Sequence, residues 1–172
     1  MRGSHSSKTR HPVTKAERIE AYVRSLGLPA DTGYDPYYLA YFGCFNVGEY
    51  YEAHDVLEHL WLHSQDAFST YYKGLIQFAG AFVHLKKQFL RPKHPTDGRR
   101  LAPASRLFKL ALGNLSNYPD TCLGLDLPTV RGIALSHIAT IEDSCFTQNP
   151  WTPQNLPRLI PGKPPATPLG DG

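Results

Sequence analysis

Residues 49–63 read Glu-Tyr-Tyr-Glu-Ala-His-Asp-Val-Leu-Glu-His-Leu-Trp-Leu-His. Acid, imidazole and apolar groups alternate here with a helical period. At about 100° per residue, Ala53, Val56, Leu57, Leu60 and Trp61 make one core-facing stripe. His54 and Glu58 fall on one flank of it. Glu52, His59 and His63 fall on the other, and Asp55 points nearly opposite to the core. His54 with Glu58, and His59 with His63, stand at the i, i+4 separation at which helix side chains meet. An imidazole nitrogen and a carboxylate oxygen one turn apart can share a divalent cation on a rigid support. The same pair can also serve as a buried hydrogen-bonded couple with no ion, and both readings stand.

A third ligand has to come from a neighbouring helix. The segment from Ala67 to Phe89 is the natural source, with a core stripe of Phe68, Tyr72, Leu75, Ala79, Phe82 and Val83. Gln77 and His84 fall together on its opposite side, beside Gly80 and Ala81, where small residues admit a close helix. Buried there, both need hydrogen bonds or a ligand. The expected metal ligands are therefore His54, Glu58 and His84. Glu52 and Asp55 are the expected catalytic groups, as second ligand or general base. His59 and His63 read as solvated side chains, and Asn46 as a helix cap. His137 reads as a satisfied core histidine.

These residues need helices to position them. Thr14 and Glu17 form a capping box ahead of Ile19, Val23 and Leu26, and Gly27 and Pro29 stop that first helix. Asp35-Pro36 opens a second, to Phe45. A third runs from about Val47 to His63, and Asp66 caps the fourth. A fifth begins near Pro103 and is closed by Pro119. Asp126-Leu127-Pro128 opens a sixth. No segment alternates with period two. The expectation is an all-α, single-domain bundle of about six helices over 14–149, after a flexible segment 1–13. Seven of the 15 prolines follow Asn149, so 150–172 cannot be helical. Residues 150 to about 161 carry enough apolar surface to lie as a strap, with disorder expected from Gly162.

Composition excludes several classes. The chain has 172 residues, 41% hydrophobic and 19% charged, too apolar for a wholly disordered protein. The run from Gly74 to Leu85 is too short and polar to span a bilayer. Three widely spaced cysteines, with no Cys-x-x-Cys, argue against a disulfide scaffold or thiolate zinc site and fit a cytoplasmic protein. A net charge of +3 gives no reason to expect a nucleic-acid partner. Lys15 and Arg18 read with Arg2, Lys8 and Arg10 as a solvated basic tail.

Phe45-Asn46, Gly48, Tyr50-Tyr51, Glu52-Ala53-His54-Asp55, Leu57-Glu58 and Trp61, followed by Gly74-Leu75-Ile76-Gln77 and His84, resemble the helical family known as domain of unknown function 309. The likeness runs over roughly residues 36 to 132. It implies an all-helical fold and the label of a metal-dependent hydrolase, and it carries no substrate. Its polar positions correspond to Asn46, Glu52, His54, Asp55, Glu58, Gln77 and His84. Asp55 stands where Glu is commoner, with a shorter reach. Two functions follow as expectations. One is hydrolysis at a single divalent ion between the third and fourth helices. The other is a non-catalytic module for interaction or self-association, a homo-oligomer, whose polar string is a hydrogen-bond network.

Overall fold

The structure, a computed structural model, describes residues 11–164. Six helices run in chain order: α1 (Lys15–Ser25), α2 (Pro36–Phe45), α3 (Tyr50–His63), α4 (Ser69–Leu90), α5 (Leu101–Leu115) and α6 (Leu127–Asp143). The architecture is all-α. A short antiparallel hairpin, Thr121–Cys122 with Leu125–Asp126, joins α5 to α6 and was not foreseen. Leu123 and Gly124 make its turn, both at positive φ.

The caps explain the boundaries. The Thr14–Glu17 box is formed in both directions. Asp35 accepts from the Tyr37 amide, and Asp126 from that of Thr129. Asp66 instead makes a turn to the Phe68 amide, 2.9 Å, so α4 starts at Ser69 rather than Ala67. The third helix starts at Tyr50 because Gly48 lies at φ +79. Asn46 does not cap it. Its side chain pins the C-terminal strap, donating to the Leu159 carbonyl (2.8 Å) and accepting from the Leu159 amide (2.7 Å).

Each helix from α2 to α6 packs on the next, and α1 folds back onto α3. The centre is aromatic. Phe45, Phe78, Phe82 and Phe108 stack or meet edge to face, and the Tyr38 and Tyr71 hydroxyls join at 2.8 Å. Such rings bury large apolar areas, and their polar tips need partners when buried. Tyr41 accordingly donates to the Leu75 carbonyl. Residues 150–164 run along the body without helix or strand, with one turn at 152–155. Trp151 and Leu159 are buried, and the Trp151 indole donates to the Tyr50 hydroxyl at 2.9 Å. Gly162 is held by the Gly124 carbonyl and by the Tyr34 hydroxyl, so ordered contacts extend past residue 161. Residues 165–172 lie outside the described part. No described helix is long and apolar enough to cross a membrane.

Candidate metal centre

The helix α3 places His54, Asp55 and Glu58 on one face, with a ligand atom from each lying within 4.8 Å of the others. The His54 Nδ1 lies 3.3 Å from Asp55 Oδ1. All three side chains are part-buried, Asp55 most deeply at 19% exposed. The helical wheel sends Asp55 away from the core, and so it does. The cover comes from α1, which lies across that outer face of α3.

Lys15, the first residue of α1, reaches between the carboxylates. Its Nζ donates to Glu58 Oε2 at 2.9 Å and stands 3.3 Å from Asp55 Oδ1. The bond to Glu58 raises the lysine pKa, against the opposing effect of burial, with Asp55 adding to the rise. Lys15 therefore stays fully charged at neutral pH. A cationic group already sits where a divalent ion would, and the donor set of one imidazole and two carboxylates suits such an ion.

Beside the cluster lies a cavity of about 480 Å³ between α1 and α3, lined by Lys15, Tyr22, Tyr51, Glu52 and Asp55 among others. Glu52 is part-buried, and burial raises its pKa, with Glu49 reinforcing the rise. A carboxyl shifted toward neutrality at the edge of a cavity can exchange a proton with a bound molecule.

The remaining expected residues go elsewhere. The His84 ring faces the segment between α4 and α5: Arg100 Nη1 stands 3.2 Å from His84 Nδ1, and Arg100 is held by Asp97. Burial, then the charge of Arg100, lowers the His84 pKa to about 4. Gln77 accepts from Asn114 of α5 at 2.6 Å. Both therefore look toward α5, whereas the His54 cluster looks toward α1, with α3 and α4 packed between. The small residues of α4 explain this. A Cβ on Gly74 would stand 2.8 Å from Leu115, and one on Gly80 3.3 Å from Leu107, so the close neighbour they admit is α5. The structure brings together His54, Asp55 and Glu58, with Glu52 close by on the shared cavity wall. His84 is not among them.

Trp61 donates to Ser69 Oγ at 3.1 Å, tying α3 to α4. His59 stacks on Tyr37 at 4.6 Å, and His63 Nδ1 donates to the His59 carbonyl. His137 Nδ1 donates to the Ile133 carbonyl while its ring packs on Phe82 and Phe108, as a satisfied core histidine should. Lys15, expected from the sequence in a solvated basic tail, is instead the first residue of α1 and is paired with Glu58 and Asp55. It stands 43 positions from Glu58, and only its place at the start of a well-capped helix could have drawn notice.

An all-helical bundle with one imidazole–carboxylate cluster on its third helix is thus the class defined by fold and site. Residues 38–92 match the model of a family described as Domain of unknown function (DUF309), and this segment holds α3 and all of α4. A protein of Aquifex aeolicus (strain VF5), described as "Uncharacterized protein", is 29% identical over 99 residues, which cover 57% of this chain. The chain spans 26% of the length of that curated relative. No solved structure matches.

Proposed function

We propose that His54, Asp55 and Glu58 hold one divalent cation and that the adjoining cavity admits a substrate for hydrolysis. One observation carries the reading: three ligand atoms within 4.8 Å of one another, with a lysine ammonium already between the two carboxylates. A divalent ion there would act as a Lewis acid and lower the pKa of a water toward neutrality. The chain's own groups supply the rest. Glu52 takes or returns a proton at its carboxylate, Tyr22 and Tyr51 bound the cavity, and α1 limits the access of water. Lys15 gives way when the ion enters, since both cannot occupy the space between Asp55 and Glu58.

Calorimetric titration with zinc, manganese and nickel tests this. The expected result is one-site binding of at least one ion, abolished in His54→Ala. Absence of binding by all three, or unchanged binding in the variant, refutes it. Hydrolysis is tested separately with p-nitrophenyl esters and phosphates. Release should require the ion and fall sharply in Glu52→Gln, and no release from any of them counts against the enzyme reading.

The position of Lys15 supports a second reading, in which the lysine and the carboxylates are a clasp that fixes α1 to α3. That reading predicts a lower melting temperature for Lys15→Met and no ion binding by either protein.

A further inference from the structure

The net charge of +3 averages two opposed regions. Residues 11–66 carry nine acidic and three basic side chains. Residues 86–109 carry eight basic side chains and one acid, Asp97. Asp97 is already committed to Arg91 and Arg100. Among the described residues Lys87, Lys93, Arg99 and Arg106 have no acidic partner within 4 Å, and all four are exposed. Arg99 and Arg106 are separated by seven residues. Arg99 ends a short 3₁₀ turn just before α5 and Arg106 lies within α5, and the charge of Arg106 acts on His84 together with those of Arg100 and Lys87, so these cations share one edge. Lys109 follows one turn on and reaches Glu142 at the end of α6.

The turn after α6 adds an aromatic group to this cationic edge. Cys145 and Phe146 both have positive φ, +51 and +61, which non-glycine residues adopt at a cost. The turn leaves Phe146 48% exposed instead of tucking it into the nearby core. Phe146 and Arg99 line a cavity of about 210 Å³, floored by Gly98 and Ala102. Gly98 lets the chain pass close to the Pro92 carbonyl oxygen, which a Cβ there would meet at 2.2 Å. An aromatic face, a guanidinium and an open slot between them form a stacking place beside a line of unpaired cations.

We infer that this edge, with Arg99 and Phe146 at the slot and Arg106 nearby on α5, binds single-stranded nucleic acid, its phosphates on the cations and one base against Phe146. Charge complementarity selects a polyanion, and the slot selects one that carries flat rings. Stacking on aromatic side chains joined to a cationic track is the general mode of strand binding without sequence preference. Burial first, and then the charges of Arg100, Lys87 and Arg106, lower the pKa of His84, consistent with a positive field along this edge. An anionic membrane would meet the cations equally well but would leave the slot unused.

Fluorescence polarisation with labelled RNA and DNA strands of about ten nucleotides tests the inference on the full chain. Saturable binding is expected, weakening between about 50 and 200 mM salt with a log–log slope near −2 to −3 for three or four phosphates. Phe146→Ala should weaken it roughly 5- to 150-fold. The double variant Arg99→Glu, Arg106→Glu should abolish it, with helical circular dichroism retained. Arg18→Glu, on the acidic half, should change little. Lack of saturable binding by either strand at low salt overturns the inference. So does binding indifferent to both Phe146→Ala and the double variant. Co-sedimentation with phosphatidylserine vesicles that neither strand competes away also overturns it, and assigns the edge to a membrane.

Discussion

Replacing Lys15 by Met removes the ammonium from between Asp55 and Glu58 while keeping the length of the aliphatic stem. Lys15 makes two ion pairs, at 2.9 and 3.3 Å, and its own side chain is 52% exposed. Exposed pairs of this kind contribute about 0.2–1 kcal/mol each. The clasp is therefore worth roughly 0.4–2 kcal/mol, and an entering ion has to overcome that amount. Its loss should tighten divalent-ion binding roughly 2- to 30-fold, because RT is about 0.59 kcal/mol and the released carboxylates keep their places on α3. Without metal the same variant should melt a few degrees lower, since α1 has lost its charged tether to α3. Calorimetry and thermal unfolding, each with and without the ion, read the two effects independently. Ion affinity that is unchanged or weaker in Lys15→Met would refute the idea that lysine and metal compete for one place.

Further predictions concern groups elsewhere in the bundle. The folded-state pKa of His84 is about 4 and the unfolded value about 6.5, so the unfolded chain binds more protons between those pH values. Stability from this group is present above pH 6.5 and is lost as pH falls toward 4. Urea melts across that range should show the loss, and His84→Gln should flatten it. Asn46→Ala leaves the Leu159 amide and carbonyl without partners and should cost about 1–3 kcal/mol. Faster proteolysis of the strap, read by mass spectrometry, checks that loss of anchoring. Gly74→Ala drives a methyl group to within 2.8 Å of Leu115 and should destabilise by about 1–3 kcal/mol in chemical denaturation.

Much of the fold was legible because local rules and tertiary packing agree. The Thr14, Asp35 and Asp126 caps, and the 3.6-residue periodicity of Ala53, Val56 and Leu57, locate their helices from neighbours a few residues away. The hairpin at Thr121–Asp126 was hidden because two residues per strand show no alternation. The site was half legible for the same reason. His54 and Glu58 are one turn apart, so geometry local to α3 brings them together. Asp55 is set beside His54 by α3 itself, and what α1 adds is Lys15, which no pattern within residues 49–63 could reveal. His84 was assigned to the wrong neighbour. A wheel shows that Gln77 and His84 share a face with Gly80, but not which helix that face meets, and Leu107 and Leu115 of α5 fill it. Asn46 has the residue type of a cap, yet its partner lies 113 residues away.

The central claim is that His54, and not His84, ligates a divalent ion beside Asp55 and Glu58. Zinc titration of imidazole-¹⁵N-labelled protein, followed by two-dimensional NMR, reads each ring directly. The ring nitrogens of His54 should shift to saturation at one equivalent while those of His84 and His137 stay fixed. Zinc-dependent shifts at His84, or an unmoved His54 with excess zinc, would contradict the claim.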